Sequence, residues 1–248
     1  MSLKKLRISV IIPAAGNSKR ISFVSACNNR IKGYSKRKPF LLIGDRPILA
    51  HTLDIFKEIK GITEIILVVN KKDLSLAKRY FKKSCDKIIE GGRTRAGSVY
   101  NAVKILDRDS DIVLIHDGVR PFVTKEIVLN SIRAAVRFGA AVVAVPVIPT
   151  IKRADEDDFV FSTLDRKMLW EIQTPQAFKK DIIIEAYRKY RGNPCGHSKK
   201  AGASPAPTDD AMLVEKMGHK VKLLMGSYEN IKITTPKDLI VAKALIKK

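Results

Sequence analysis

Short runs of apolar, mostly β-branched residues recur along the larger N-terminal part of the chain. Each run is apolar at nearly every position rather than at every second one, which is typical of parallel strands covered on both faces. The pattern therefore predicts a series of buried strands. The runs are ISVIIP from Ile8, ITEIILVVN from Ile62, DKIIEGG from Asp86, DIVLIHD from Asp111 and AAVVAVPV from Ala140.

Between these runs the residues have the pattern of helices. We predict helices over residues 48–57, 74–81, 94–106 and 125–138. Strands that alternate with helices form βαβ units, so the predicted fold class is α/β, with a doubly wound, mostly parallel, Rossmann-like sheet. Ligands of such sheets bind at the carboxyl ends of the strands. The segments PAAGNSKR, EGGRTRAGS and HDGVRPF follow three of the strands and are the candidate binding loops.

The alternation of strands and helices stops after the fifth run. Residues 147–168 contain prolines, an acidic cluster and a second short β-like run, which predicts a β-hairpin arm projecting from the sheet. Residues 191–207 are rich in Gly, Pro, Ser and Lys, which predicts a loop. No long linker divides the chain, so we predict a single domain over residues 1–248 that includes this arm.

The C-terminal part returns to regular structure. A helix is expected to begin near Asp209, and the last helix is expected to be capped by Thr235 with Pro236 at its first position. In the segment NIKITTP, Lys232 lies between two isoleucines, which predicts a strand lysine with one face of the segment buried and the other exposed or lining a pocket.

Composition limits the class of protein. A length of 248 residues with 45% hydrophobic content is enough for a large core. The 47 Lys and Arg outnumber the 25 Asp and Glu, and the net charge of +22 attracts polyanions, membrane surfaces or phosphorylated small molecules. Cys27, Cys85 and Cys195 are widely spaced without a CxxC pair, which indicates a reducing compartment. No apolar run is long enough to span a membrane and the leader is too short for a targeting peptide, so we expect a cytoplasmic protein with no membrane partner.

The first candidate loop, PAAGNSKR, combines very small residues with two cations. Small side chains at Ala14, Ala15 and Gly16 let backbone amides approach a nucleotide, and Arg20 and the later Lys38 can meet triphosphate charge. The loop has neither the second glycine of the dinucleotide fold nor a GK[ST] sequence. On these residues alone, a tight turn with solvated cations is an equal alternative.

Seven motifs, in order along nearly the whole chain, resemble those of one family. They are PAAGNSKR, EGGRTRAGSV, HDGVRPF, TLDR, TPQAF, TDDA and ENIKITTPKDL. They resemble the 2-C-methyl-D-erythritol 4-phosphate cytidylyltransferases of the non-mevalonate isoprenoid pathway. The resemblance implies a nucleotidyltransferase that transfers CMP from CTP to the methylerythritol phosphate and releases pyrophosphate. It also implies Mg²⁺, or another divalent cation, held mainly by the CTP phosphates and not by direct protein ligands.

The resemblance implies roles for individual positions. Arg166 is expected to clamp the acceptor phosphate, with the acceptor site completed across a homodimer formed through the arm, and Arg95 is expected to brace the glycine loop. The catalytic cations implied are Arg20, Lys38 and Lys232. The nucleotide-binding positions implied are Ala14, Ala15, Gly16, Gly92, Ser98 and Asp117. The acceptor-binding positions implied are Arg120, Thr150, Arg166, Thr174 and Thr208. Asp209, next to Thr208 in TDDA, is a further position that matches the family.

The chain departs from the family pattern at two positions and in one segment. Pro39 stands where a glutamine is usual, Arg93 stands where an acidic residue is frequent, and the basic segment over residues 21–37 is longer than expected. Among the retained residues, Asp117 and Arg120 have a second interpretation, in which they pair with each other as scaffolding. His116 is expected to be packed and hydrogen-bonded rather than a metal ligand.

Two other functions are consistent with parts of the sequence. A ribitol 5-phosphate cytidylyltransferase shares the opening loop, RPF and TPQ, but usually lacks TLDR and TDDA. A nucleic-acid-binding protein is suggested by the net charge and by the segments RIKGYSKRK and HSKK. Against nucleic acid as a partner, aromatic residues make up only 6% of the chain and form no visible stacking platform.

Overall fold

The computed structural model describes residues 6–16, 37–192 and 207–246. In these ranges the chain forms a central β-sheet with helices on both faces. The strands are β1 (Ile8–Ala14), β2 (Leu42–Ile43), β3 (Arg46–Pro47), β4 (Ile62–Val69), β5 (Lys87–Glu90), β6 (Ile112–Ile115), β7 (Ala140–Pro146), β8 (Lys152–Ala154), β9 (Val160–Thr163), β10 (Trp170–Lys179) and β11 (Lys222–Met225). The α-helices are α1 (Ile48–Lys57), α2 (Leu74–Phe81), α3 (Arg95–Val103), α4 (Lys125–Phe138), α5 (Lys180–Gly192), α6 (Ala211–Glu215) and α7 (Pro236–Leu245).

The central sheet has the strand order β11-β7-β10-β6-β1-β4-β5. The pairs β1–β4, β1–β6, β4–β5 and β7–β11 are parallel, whereas β10 is antiparallel to both β6 and β7. The prediction of a mostly parallel α/β sheet is confirmed. The five predicted strands correspond to β1, β4, β5, β6 and β7.

The two faces of the sheet carry separate hydrophobic clusters. In β1, Val10 and Ile12 pack with residues of α1, α2 and α4, whereas Ile11 packs on the opposite face with residues of α3, α5 and α6. All three side chains are fully buried. A strand covered on both faces has no polar side, which explains why the run is apolar at consecutive positions.

Three helices, α3, α4 and α7, begin directly after a capping threonine. Three predicted helices coincide with α1, α2 and α4, whereas the helix predicted over residues 94–106 is shorter and ends at Val103. The Thr94 side chain caps α3 by accepting a hydrogen bond from the Gly97 backbone N–H at 2.9 Å. Thr235 forms a capping box with Asp238 at the start of α7, as predicted. The helix expected near Asp209 begins at Ala211.

The predicted arm is confirmed as an antiparallel hairpin of β8 and β9, which forms a sheet separate from the central one. Several large apolar side chains of the arm are exposed, among them Phe159 at 71%, Phe161 at 64% and Met168 at 79%. The arm therefore presents an apolar surface that this protomer leaves uncovered.

One prediction about the C-terminal segment is wrong. The residues around Lys232 belong to no strand. Ile233 is nevertheless buried and hydrogen-bonded through its backbone N–H to the Val119 carbonyl, while Lys232 is partly exposed. The alternation of apolar and polar positions reflects packing against the loop after β6, not strand pairing.

Parts of two predictions lie outside the described residues. These are Arg20 with most of the basic segment 21–37, and most of the loop predicted over residues 191–207. Among the residues that the structure does describe, no helix is both long and apolar enough to span a membrane.

Candidate active site

Three loops meet at the carboxyl edge of the parallel strands. A Cβ atom placed on Gly91, after β5, would lie 2.3 Å from the Ala15 Cβ and 2.9 Å from the Ser98 Oγ. A Cβ placed on Gly118, after β6, would lie 3.1 Å from the Ala14 Cβ. Glycine at both positions lets the neighbouring loops approach the end of β1, so Ala15 packs against Gly91 and Ala14 against Gly118.

The glycine loop is held by the first turn of α3. The Ser98 hydroxyl donates to the Thr94 carbonyl oxygen at 2.9 Å and accepts from the Gly92 N–H at 3.1 Å. Ser98 is buried. Its side chain therefore fixes the backbone of Gly92, the position at which a nucleotide was predicted to contact the loop.

A cavity of about 230 Å³ lies next to these loops. It brings together five residues that were predicted to bind nucleotide or acceptor or to act in catalysis: Asp117, Arg120, Thr174, Thr208 and Lys232. The remaining lining residues are Arg95, Ile172, Gln173, Gln176 and Asp209. A larger cavity of about 520 Å³ lies at the opposite edge of the sheet and is lined by none of the predicted site residues.

Asp117 is the centre of the charge arrangement in the cavity. Its Oδ1 lies 3.2 Å from the Arg95 Nε, and its Oδ2 lies 2.7 Å from the Lys232 Nζ and 3.8 Å from the Arg120 Nε. Burial by itself raises the pKa of Asp117, but the charges of Arg95, Lys232 and Arg120 outweigh it and hold the pKa below its usual value. The carboxylate is therefore ionised and surrounded by cations.

Arg95 connects Asp117 to a second, fully buried carboxylate. Its Nη1 lies 2.7 Å from Asp210 Oδ2, and Asp210 Oδ1 accepts the Tyr187 hydroxyl. Burial lowers the pKa of Arg95, but Asp210 and Asp117 outweigh this effect and raise it, so the guanidinium stays charged. Burial and the charge of Asp210 raise the pKa of Tyr187 well above its ordinary value, so the phenol stays protonated and donates.

His116 belongs to a chain of hydrogen bonds under the cavity. The Asp117 N–H donates to Thr174 Oγ1 at 3.1 Å, Thr174 Oγ1 lies 3.0 Å from His116 Nδ1, and His116 Nε2 lies 3.0 Å from the Arg120 carbonyl oxygen. Because a carbonyl oxygen only accepts, Nε2 carries the proton and Nδ1 accepts from the Thr174 hydroxyl. Burial lowers the pKa of His116 to about 4, so the ring is neutral at neutral pH. The expectation of a packed, hydrogen-bonded histidine is confirmed.

Arg120 is held mainly by backbone groups. Its Nη1 donates to the Asn230 carbonyl oxygen at 2.6 Å and its Nη2 to the Ile172 carbonyl oxygen at 3.5 Å. These bonds tie the loop after β6 to β10 and to the segment before Lys232. Arg120 thus lines the cavity and also lies 3.8 Å from Asp117, so the structure is consistent with both interpretations of this pair, and the acceptor-binding role of Arg120 stays a prediction.

Comparison with known proteins identifies the family. A profile of the family 2-C-methyl-D-erythritol 4-phosphate cytidylyltransferase matches residues 8–248. The chain belongs to this family. The relative from Caldanaerobacter subterraneus subsp. tengcongensis, a 2-C-methyl-D-erythritol 4-phosphate cytidylyltransferase, is 44% identical, and the match covers 98% of this chain and 100% of that protein. The enzyme of the same name from Alkaliphilus oremlandii is 42% identical over 97% of this chain and 95% of its own length.

Solved structures of the cytidylyltransferase family share the fold. The crystal structure of 4-diphosphocytidyl-2C-methyl-D-erythritol synthase from Anaerococcus prevotii matches with a TM-score of 0.79 and 37% identity, covering 98% of this chain and 97% of that chain. The 2-C-methyl-D-erythritol 4-phosphate cytidylyltransferase from Thermus thermophilus matches with a TM-score of 0.75 and 30% identity, covering 98% of this chain and all of that chain. The similarity therefore includes the arm as well as the sheet.

Other positions carried over from the cytidylyltransferases do not line the cavity. Lys38 begins a 3-10 helix, Lys38–Phe40, that precedes β2, and it is not a lining residue. Thr150 and Arg166 lie on or beside the arm, where both are exposed, and Arg166 Nη1 donates to the Ile148 carbonyl oxygen at 2.8 Å. Their roles, like that of Arg20, remain predictions.

Several residues that shape the cavity received no role from the sequence. Gln176 donates to Asp209 Oδ2 at 2.7 Å and accepts from the backbone N–H groups of Asp210 and Ala211 at 3.0 Å each. Asn230 donates to the Thr174 carbonyl oxygen at 2.9 Å. The motifs TPQAF and TDDA contain Gln176 and Asp210, but their contact joins β10 to the turn before α6, and no local pattern indicates that contact.

Proposed function

We propose that this chain uses the cavity to transfer CMP from CTP to 2-C-methyl-D-erythritol 4-phosphate, giving 4-diphosphocytidyl-2-C-methyl-D-erythritol and pyrophosphate. A phosphate oxygen of the acceptor attacks the α-phosphorus of CTP, and the bond from that phosphorus to the bridging oxygen of the β-phosphate breaks. The observation that carries the proposal is the cluster at the carboxyl edge, in which Asp117 is surrounded by Arg95, Arg120 and Lys232.

This reaction needs cations more than a base. A phosphate monoester loses its second proton at a pKa of about 6, so the acceptor is already a dianion at neutral pH. The barrier then comes from repulsion between two anionic substrates and from charge that accumulates on the departing pyrophosphate. Lys232 is partly exposed, with Asp117 holding its ammonium group at the cavity, and Arg20 and Lys38 are proposed to complete the set of cations.

The nucleotide is proposed to lie over the loops after β1 and β5. Backbone groups of Ala14, Ala15, Gly16 and Gly92 face it closely, because their side chains are small or absent. Ser98 supports this surface by holding Gly92. Asp117 is proposed to lie at the ribose and phosphate end.

A divalent cation, Mg²⁺ in the first instance, is proposed to enter with CTP. Both oxygens of Asp117 already contact cationic side chains, so the donor set suits an ion whose ligands come mainly from the triphosphate. Among the described residues, no group of three or more His, Cys, Asp or Glu is arranged to hold a metal ion. When bound, such an ion would neutralise phosphate charge and orient the α-phosphorus.

The acceptor is proposed to lie between Arg120, Thr174 and Thr208 of one protomer and the arm of its partner. Thr150 and Arg166 lie outside the cavity of their own protomer, whereas the arm exposes Phe159 and other large apolar side chains. A homodimer formed through the arm would cover these side chains and bring Arg166 to the partner's cavity.

One assay separates this proposal from its alternatives. Purified protein is incubated with each of the four ribonucleoside triphosphates, with 2-C-methyl-D-erythritol 4-phosphate or ribitol 5-phosphate, and pyrophosphate release is measured. We expect release only with CTP and the methylerythritol phosphate. The enzyme is proposed to work in the cytoplasm. Release with ribitol 5-phosphate alone, or salt-sensitive DNA retention without release, would instead support the two alternative functions.

A further inference from the structure

Asp210 is a buried carboxylate, and both of its carboxylate oxygens contact side chains of the protein. Its side chain is fully buried, Oδ2 pairs with Arg95, and Oδ1 accepts the hydroxyl of Tyr187 on α5. Its own backbone N–H donates to Gln176 on β10. Residues of α3 and α5 therefore hold the carboxylate, and Gln176 of β10 holds the backbone of the same residue.

Opposite charges alternate from this carboxylate to the cavity. Asp210 contacts Arg95 at 2.7 Å, Arg95 contacts Asp117 at 3.2 Å, and Asp117 contacts Lys232 at 2.7 Å. The two ends of the series differ most in exposure, with the Asp210 side chain 1% exposed and the Lys232 side chain 40% exposed. The chain of ion pairs thus begins in the core and ends at the group proposed to meet the phosphates.

The guanidinium of Arg95 is planar, and its donors form a rigid fork. It presents Nη1 to Asp210 and Nε to Asp117 Oδ1, so each carboxylate receives a different part of the fork. Asp117 Oδ2 consequently stays available to Lys232. Without Asp210, the guanidinium would keep Asp117 as its only anionic partner among the described residues, and a two-bond contact with both oxygens of Asp117 would compete with Lys232.

We propose that Asp210, held by Tyr187, is a positioning residue that orients Arg95 and, through Asp117, places the Lys232 ammonium group in the cavity. The inference deepens the proposed function and rests on it, because Lys232 is the group whose placement affects turnover. It assigns Asp210 no contact with either substrate.

The first test is kinetic. Asp210→Asn keeps the shape of the side chain but removes its charge, and it is expected to lower kcat about thirtyfold or more while changing KM for either substrate less than about threefold. Tyr187→Phe removes one hydrogen bond to the carboxylate and is expected to lower kcat about three- to tenfold. Asp181→Asn makes the same charge change at an exposed position at the opposite edge of the sheet and should match wild type.

The second test asks whether Asp210 acts through Lys232. If it does, Asp210→Asn in a Lys232→Ala background should cost less than about threefold beyond Lys232→Ala alone. A decrease in kcat of the double variant equal to the product of the two single decreases would overturn the proposal, since Asp210 would then contribute independently of Lys232. Tyr187→Phe in the same background provides the same comparison if Asp210→Asn fails to fold.

The third test does not depend on turnover. In protein labelled with ¹⁵N-arginine, the Arg95 Nε–H signal is identified by its absence in Arg95→Lys. We expect its hydrogen exchange to change at least tenfold in Asp210→Asn and to remain as in wild type in Asp181→Asn. An unchanged Arg95 signal in Asp210→Asn would overturn the proposal. Absence of product from the wild-type protein, with the Arg95 signal responding as expected, would instead reject the proposed function and leave the positioning intact.

Discussion

Single residues at the carboxyl edge combine burial with charge. Asp117 is buried, yet its pKa lies below its ordinary value because burial is outweighed by Arg95, Lys232 and Arg120. Ionisation of Asp117 costs the folded protein little free energy because three cationic side chains surround the carboxylate. The carboxylate is therefore ionised at neutral pH, where it holds Lys232 through an ion pair of 2.7 Å.

Lys232→Ala should lower kcat about a hundredfold, the scale typical of losing one preorganised charge contact, because less charge on the departing pyrophosphate is then neutralised. The KM for CTP should change much less. Lys237→Ala, an exposed lysine in the first turn of α7, is the matched control and should leave both constants unchanged. Steady-state pyrophosphate release measures both variants, and near-normal turnover in Lys232→Ala would contradict the assignment.

His116 should make the fold sensitive to mild acid. Its pKa is lowered to about 4 by burial, whereas an unfolded histidine titrates near 6.5, so the unfolded state binds more protons between these values. Stability should therefore fall as pH decreases through about 6.5 and level off near 4, with a loss of about 2 kcal/mol between about pH 7.5 and pH 5. The free energy of unfolding in urea, measured at both pH values, checks this.

The matched variants for this pH dependence are His116→Gln and His219→Gln. His219 is exposed on the turn after α6. The first variant should lose most of the pH dependence in this range, and the second should keep it. Equal pH dependence in wild type and His116→Gln would show that another group is responsible.

At the scale of elements, continuous apolar runs predicted the strands well, because a strand buried on both faces needs apolar residues at every position. The same rule failed for β10, whose run WEIQTPQAFK mixes polar residues with a Thr-Pro pair and shifts register between Ile172 and Gln176. This strand lies between β6 and β7, which follow one another in sequence order. Insertion of a later, antiparallel strand between them depends on long-range pairing, and no local pattern predicts it.

In the candidate site, too, local sequence patterns predicted the loops but not the contacts between distant elements. The loops after β1, β5 and β6 were predicted from their position and composition, and Asp117, Thr174, Thr208 and Lys232 do meet in one cavity. The contacts of Asp210, Tyr187 and Gln176 join three elements far apart in the chain. Their geometry could be described only from the folded structure.

The arm supplies a prediction about acceptor choice. Arg166→Lys keeps the charge but loses the guanidinium fork, so it should raise KM for 2-C-methyl-D-erythritol 4-phosphate about tenfold to a hundredfold while leaving KM for CTP nearly unchanged. Arg153→Lys makes the same exchange at an exposed position of the same hairpin, beside the Phe161 ring, and should match wild type in both constants. A shift in the CTP constant instead would place Arg166 at the nucleotide site.

For the whole molecule, the proposed dimer predicts that two inactive variants restore one another. Arg166→Met and Lys232→Ala damage different sides of a site shared by two protomers, so a mixed dimer contains one site with neither change. Mixing equal amounts under conditions that exchange subunits should recover about a quarter of wild-type activity. No recovery, together with a monomer in sedimentation at micromolar concentration, would contradict a site completed by the partner.

The charge cluster at Asp117 is proposed to catalyse the transfer of CMP to a phosphate acceptor, and ³¹P NMR tests this transfer most directly. With CTP, 2-C-methyl-D-erythritol 4-phosphate and Mg²⁺, the wild-type protein should convert the acceptor monoester signal into the two signals of a diphosphate diester, with inorganic pyrophosphate in equal amount. Asp117→Asn, which removes the carboxylate that holds Lys232, should slow this conversion at least a hundredfold. Release of inorganic phosphate without the diester, or full activity in Asp117→Asn, would contradict the account.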